Sequence, residues 1–430
     1  MFWITRSTSI IALTFLCITL AMHSSSTSAQ FHLTLNPYYL YDHNRDLNDN
    51  NSTHEAGVIL KPEVDLNFNA NWRGYFYGYG IYATSQETID DNSGGNEAYV
   101  GLRELWLDWS GLTDYPGESI RVGRERLKDD DGVWTDSDIS LLRWRWDTTL
   151  WHGTAGVAQK IDDFEDDDSP LPKDERDLLR FFASQRLQYS YHNYIEMRAM
   201  YVRGDDQSLY QPRLSWLGLG LDNDYFSATS DQALNYRLAL LAVTGSDVPQ
   251  RKRRDVNGWA ADVGLRWRPS SIPMLAVGAQ YAFASADGDR GFRSTGLESN
   301  RARFTGTQAS FYRFNEALRA ELYNLQAAAV YASLSTHEHW DISLVAQQFW
   351  LNDRDAGFRA AGLSIEPEGD GRQIGQGLDL VGSWYWDAGN RWPFESYLRT
   401  RASVFFPGDA FADDQDSLRS RFSLDWVNKW

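Results

Sequence analysis

Apolar and polar residues alternate with period two in short runs along most of this chain, and polar segments separate the runs. The pattern is clearest near Leu142. Leu142, Trp144, Trp146 and Thr148 fall on one face of an extended strand, and Arg143, Arg145 and Asp147 fall on the other. A water-soluble sandwich would more often set Thr, Ser, Lys or Glu opposite a Trp-bearing core face. In a membrane barrel the Trp side meets lipid and the Arg side lines a lumen. An Arg at the lipid midplane costs roughly 2–4 kcal/mol, so a pair of them is expected to point inward.

The same rhythm organises the rest of the chain. Long polar segments lie near residues 43–57, 86–96, 127–140, 161–178, 203–212, 246–257, 284–309, 352–374 and 407–418. Short turns fall between them, near Asn71, Pro116, His152, Asn193, Asn223, Pro269, His337 and Gly389. The expected fold is all-β: a single transmembrane antiparallel β-barrel of about eighteen strands, with long extracellular loops and short periplasmic turns. The first strand is placed at Phe31–Tyr41, and apolar alternation resumes at Val58. At the C-terminus Phe422, Leu424, Trp426 and Trp430 share a face against Arg421, Asp425 and Lys429. A terminal aromatic after such a strand looks like the recognition signal of the outer-membrane barrel assembly machinery. Asn428 departs from that pattern, in a place where an apolar residue is more usual.

Composition supports export. Arg6, the apolar run Ser9 to Met22 and the small residues Thr27-Ser28-Ala29 read as a signal peptide, residues 1–29, cleaved before Gln30. Residues 30–430 are then one barrel domain. The single Cys, Cys17, lies inside the signal, so disulfides and thiolate sites are excluded from the mature chain. No other stretch approaches the apolar length of a membrane helix, which leaves a closed barrel as the way to span lipid. The 18 Trp and 22 Tyr suit aromatic girdles. A net charge of −18 argues against nucleic acid as a partner. Outer-membrane lipid and lipopolysaccharide are the expected surroundings, and a monomer the expected state.

Several stretches resemble the alginate-export family of outer-membrane porins. They are RELWLDWSGLTDYPGESIRVGRERLKDDDGVW from Arg103, LRWRWDTTL from Leu142 and TGLESNRARFTGT from Thr295. YRFNEALRAELYNLQAA, IGQGLDLV from Ile374 and VFFPGDAF from Val404 complete the set. The resemblance implies an eighteen-stranded barrel whose lumen is narrowed and made positive by inward Arg, through which polymannuronate-type polymers leave the periplasm. It assigns constriction roles to Arg124, Arg126, Arg143, Arg319, Arg399 and Arg401. Alternation alone adds Arg145 and Asp147. It also turns Arg319 and Glu321 inward, with Leu318, Ala320 and Leu322 facing lipid, and sets Asp379 inward between Leu378 and Leu380. Arg offers a planar two-pronged donor to each uronate carboxylate, and interspersed acids keep the polymer from binding too tightly to leave. The family also implies a periplasmic secretion scaffold as a partner, but the loops that would meet it match poorly.

The expected function is therefore passive export of an anionic, alginate-like polysaccharide. The alternatives are an uptake porin for small uronates or other anions and, further off, an outer-membrane barrel enzyme. The enzyme reading lacks a base beside a nucleophile: only His152 and His192 lie near strands, and no Gly-x-Ser-x-Gly elbow is present. No cofactor is expected. The weak metal candidate is the acidic run Asp162, Asp163, Glu165, Asp166, Asp167 and Asp168, whose hard oxygens suit a divalent cation but which reads more simply as a solvated loop. Arg251 to Arg254 could draw a polyanion or lipopolysaccharide phosphate. His337-Glu338-His339 lacks the spacing of a zinc helix motif.

Overall fold

The computed structural model describes residues 28–430, apart from 49–50, 88–94, 166–177, 205–211, 231, 248–252, 289, 337 and 388–393. The expected signal segment thus lies almost wholly outside the described residues, as does the turn at Gly389. The strands in chain order begin with β1 (Ser28–His43), β2 (Ser52–Asn67), β3 (Trp72–Glu87), β4 (Asn96–Trp109), β5 (Glu118–Lys128), β6 (Asp136–Asp147) and β7 (Trp151–Gln159). Next come β8 (Leu179–Ser190), β9 (Asn193–Arg203), β10 (Arg213–Asp222), β11 (Leu234–Asp247), β12 (Arg254–Trp267) and β13 (Leu275–Ala284). A two-residue hairpin, β14 (Arg301–Ala302) and β15 (Phe311–Tyr312), precedes β16 (Leu325–Ser335), β17 (Trp340–Leu351), β18 (Gln373–Trp386), β19 (Glu395–Pro407) and β20 (Arg419–Lys429).

Eighteen of these strands form one antiparallel sheet, each paired with its chain neighbours, and β1 also pairs with β20 to close the ring. Closure leaves no exposed edge, as a sheet in lipid requires. β17 shows why the sequence takes this form. Asp341, Ser343, Val345, Gln347 and Phe349 are buried inside, while Ile342 and Leu344 between them are exposed outside. Exposed apolar side chains recur on strand after strand, among them Leu217, Leu240, Trp259, Val330 and Trp384. A band of this kind has lipid as its solvent.

Two expectations about elements change. The first strand is longer than Phe31–Tyr41, and β2 starts at Ser52, well before Val58. Residues 313–322 form no wall strand. The connection from β13 runs to β16, and its middle folds into the barrel, so Leu318, Ala320 and Leu322 are buried in the interior core and do not meet lipid. The alternation there is real, but it pairs with another loop: Ala320 bridges Ala360 in the β17–β18 connection.

Among the described residues, three connections stand out by reaching strands remote from their own. The tip of the β5–β6 hairpin, residues 129–135, reaches β9 and β11, where Asp131 accepts from Arg198 and Arg237. The extracellular β13–β16 segment reaches β12, β18, β19 and β20 through Arg313, Asn315 and Ala317. From the periplasmic side, the β10–β11 turn buries Tyr225, Phe226 and Ala228 against that same segment. Gly123 makes the first of these entries feasible. Its φ is 136°, and a Cβ there would sit 2.2 Å from the Leu105 carbonyl oxygen. Beside this kink β4 stops pairing with β5 at Leu105, and β5 continues as the inserted hairpin.

Candidate functional site in the barrel lumen

Between the inserted pieces and the β8–β11 wall lies a cavity of about 630 Å³. Lys128, Arg186, Arg198, Arg237 and Arg303 line it, with Asp129, Asp130, Glu196, Asp222 and Asp224 set among them. Most cations here are answered. Arg186 donates to Asp222 at 2.8 Å and stands 3.9 Å over the Tyr194 ring. Arg198 meets Asp131 at 2.9 Å and Asp129 at 3.4 Å, and Arg237 meets Asp262 at 3.2 Å as well as Asp131. Burial alone would raise the Asp131 carboxyl, but Arg198 and Arg237 outweigh it and hold the group well below the usual carboxylate range. A smaller space of about 210 Å³ toward the periplasmic turns is lined by Arg143, Arg145, Asp147 and His152, and shares Ser184 and Arg186 with the larger one.

The predicted residues fall into three groups. Arg143 turns inward and forms an ion pair with Glu125 at 2.9 Å, in a chain that continues from Glu125 to Arg121 (3.0 Å) and from Arg121 to Asp108 (2.9 Å). Arg145 and Asp147 share its face, and Asp147 pairs with His152. Arg399 and Arg401 also point inward. Arg401 bonds Asp425 at 2.9 Å and reaches Glu316 of the inserted segment at 3.5 Å, whereas Arg399 donates to the Ser383 hydroxyl at 3.0 Å. Among the described residues neither Arg145 nor Arg399 has an ion-pair partner.

Arg124 and Arg126 sit otherwise than the sequence suggested. They lie on the face of β5 opposite Arg121 and Glu125, because the residue that faces Arg143 across the register is Arg121. Arg126 bonds Asp136 at 2.5 Å at the root of the inserted tip. Arg124 donates to three backbone carbonyls, of Leu102 (3.0 Å), Asp162 (3.1 Å) and Asp163 (2.9 Å), and lies over the Phe164 ring. It stitches the start of the β7–β8 loop to the edge of β4 that β5 has left.

Arg319, Glu321 and Asp379 belong to the inserted segment and its seat. Arg319 has φ 50° and donates to the Ala361 carbonyl at 3.2 Å, with Asp42 at 3.9 Å. Glu321 lies 3.8 Å from Arg359 of the neighbouring loop. Asp379 is on the inward face of β18, as alternation required, but it is fully buried. Its Oδ1 accepts from Asn315 at 2.7 Å, from the Glu316 backbone at 3.1 Å and from Ser403 at 2.5 Å. Its position is that of an anchor for the inserted segment.

Sequence reasoning missed Arg186, Arg198, Arg237, Arg266 and Arg313. Four carried the same signal as Arg143: Arg186 precedes exposed Leu187, Arg198 follows exposed Met197, Arg237 precedes exposed Leu238, and Arg266 stands between exposed Leu265 and Trp267. Arg313 carried none, since its inward position depends on a loop. In the acidic run, Glu165 accepts from the Tyr79 hydroxyl, and Asp166, Asp167 and Asp168 lie outside the described residues. Among the described residues no group of three or more His, Cys, Asp or Glu is placed to hold a metal. Arg251, Lys252 and His337 are likewise outside.

A closed eighteen-strand barrel with an apolar outer band and inserted loops around an ionic cavity is an outer-membrane channel, not an enzyme. Solved structures agree on the fold. OccAB2 of Acinetobacter baumannii superimposes with a TM-score of 0.61 at 10% identity, covering 94% of this chain and 98% of that one. OccK5 (OpdH) of Pseudomonas aeruginosa gives 0.57 at 10% identity over the same shares. The chain belongs to the alginate-export family: the family model described as alginate export matches residues 28–425. The alginate production protein AlgE of Pseudomonas aeruginosa is 33% identical over 423 residues, 87% of this chain and 86% of that protein. AlgE of Pseudomonas syringae pv. tomato is 31% identical over 438 residues, 86% and 87% of the two chains. The protein is accordingly placed in the Gram-negative outer membrane.

Proposed function

We propose that this channel passes an alginate-like polyuronate from the periplasm to the cell exterior along the β6–β11 wall. Family membership supports export of alginate. The observation that carries the route is the contrast between answered and unanswered arginines. Arg145, in the periplasmic half of β6, has no carboxylate partner among the described residues, and neither has Arg399 across the ring on β19, whereas Arg143, Arg186, Arg198 and Arg237 are paired. An arriving polymer carboxylate finds an open guanidinium at these two positions. At the paired arginines it exchanges with a wall carboxylate, which keeps each contact near thermoneutral and lets the chain move on.

The test is ion selectivity of the purified protein in a planar bilayer, with and without oligomannuronate. Anion preference, with current blocked from the periplasmic side by the oligomer, is the expected result. Cation preference without block would overturn the polyuronate route.

A further inference from the structure

Two of the inserted pieces come from opposite sides of the membrane, and they meet. Arg266, fully buried on the inner face of β12, binds both. Its Nη1 donates to the Tyr225 carbonyl of the periplasmic β10–β11 turn at 2.6 Å and to the Phe304 carbonyl of the extracellular segment at 3.2 Å. Its Nη2 donates to the Ser227 carbonyl at 3.1 Å and to Asn235 Oδ1 at 3.0 Å. Arg268, just past the strand, repeats the arrangement, with Nη2 at 3.3 Å from both the Ala228 and the Gly306 carbonyls. Aromatic packing backs the junction: Phe304 meets Tyr331 edge-on at 5.5 Å, and the Tyr331 hydroxyl lies 3.1 Å from that of Tyr225.

We propose that Arg266 and Arg268 clasp the periplasmic turn and the extracellular segment into one body, so that the two ends of the lumen open together. The inference rests on reading the cavity as the polymer's route, since Phe226, Ser227, Ala228 and Thr229 of the turn and Arg303 of the segment all line it. The physical reason is donor satisfaction. A buried guanidinium with five N–H groups in a fixed fork loses heavily when its acceptors leave. The partners of Arg266 among the described residues are all neutral oxygens, so no carboxylate on the wall retains it once either segment withdraws. Movement of one segment strands donors that the other alone cannot satisfy. Arg266 and Arg268 are therefore positioning residues for the cavity, and their effect on transport runs through the loops they hold.

Gly306 allows the coupling to be tested from one side. Its φ is 78°, and a Cβ there would lie 2.9 Å from Arg268 Nη2 and 3.0 Å from Arg266 Nε. Spin labels would be placed singly at Thr229→Cys on the periplasmic turn, Arg303→Cys on the extracellular segment and Glu368→Cys in the β17–β18 loop, all in full-length Cys17→Ser protein in detergent. Gly306→Ala, a change on the extracellular segment, is expected to sharpen the spectrum at Thr229→Cys as well as at Arg303→Cys and to leave Glu368→Cys unchanged. Arg266→Gln should do the same and raise open-channel conductance. A response confined to Arg303→Cys would overturn the clasp, as would no response at either site. If Arg266→Gln fails to give heat-modifiable, folded protein, Gly306→Ala carries the test with both guanidinia in place. Oligomannuronate block is read separately on the same samples: loss of block with coupled labels would count against the polymer reading and not against the clasp.

Discussion

Asn315 donates its side-chain amide to Asp379 Oδ1 at 2.7 Å, and both residues are fully buried where the inserted extracellular segment touches β18. The same Asn315 amide reaches the Ser403 hydroxyl at 3.0 Å, and its own Oδ1 caps the Leu318 backbone at 2.8 Å. One turn, with Asn315 at φ 65°, is thereby pinned to two wall strands. Asp379→Ala removes the acceptor of the Glu316 backbone N–H and the Ser403 hydroxyl and the shortest acceptor of the Asn315 amide, a loss of about 1–3 kcal/mol on the seat of the segment. The expected outcome is a barrel that still shows heat-modifiable migration but conducts more and with more flicker. Unchanged single-channel records would contradict the anchoring role.

The unanswered arginines should set selectivity. Arg145→Glu and Arg399→Glu, singly, are each expected to shift the reversal potential in a salt gradient toward cations and to weaken oligomannuronate block. The double variant should shift it further than either alone. Arg143→Glu is expected to differ in kind: it sets a third acid beside Glu125, which Arg121 already answers, and should cost assembly yield.

Asp131 gives a stability prediction with a definite pH sense. Its carboxyl is held below the usual range in the folded state by Arg198 and Arg237, so its contribution is present above the unfolded carboxylate pKa of about 3.9 and fades as pH falls below it. Asp131→Asn leaves two buried guanidinia short of a counter-charge and should lower stability by about 3–5 kcal/mol near neutrality. Urea unfolding in detergent, followed by tryptophan fluorescence, should show the gap between variant and wild type closing below roughly pH 4. A gap that widens in acid would refute the assignment.

The C-terminal residue closes the ring. Trp430 exchanges backbone hydrogen bonds with Leu33, at 3.0 and 3.2 Å, and its ring lies 4.9 Å from that of Phe394. We propose that folding in the outer membrane depends on this contact more than refolding in detergent does. Removing Trp430 should lower the folded fraction in outer membranes severalfold while leaving the chain able to refold in detergent. Equal loss in both settings would mark a purely structural role.

How much of this was legible in the sequence follows from what alternation can encode. Arg143, Arg399 and Asp379 lie on the inner face that alternation indicates, because each stands between residues that must meet lipid, and a strand has only two faces. Arg319 and Glu321 show where the rule stops. The run around them alternates, but its neighbours are Arg359 to Gly362 of another loop, so the same periodicity served a lid and not a wall. Arg124 failed for a different reason: its face was fixed by a register across β5 and β6, which period two does not specify. The inward turn at Tyr225 and Phe226 had no local mark, since those aromatics would suit a membrane girdle equally well.

Gly123 carries a consequence for how such a channel could change. Below it, β5 is wall; above it, the same strand is obstruction. A side chain at this kink would collide with β4, so the bend cannot be moved along the strand by a single substitution. Barrel circumference and bore are consequently written in one continuous piece of chain. A variant with a wider passage has to redraw the hairpin and its receiving residues on β9 and β11 together, a multi-residue change that no single substitution reaches.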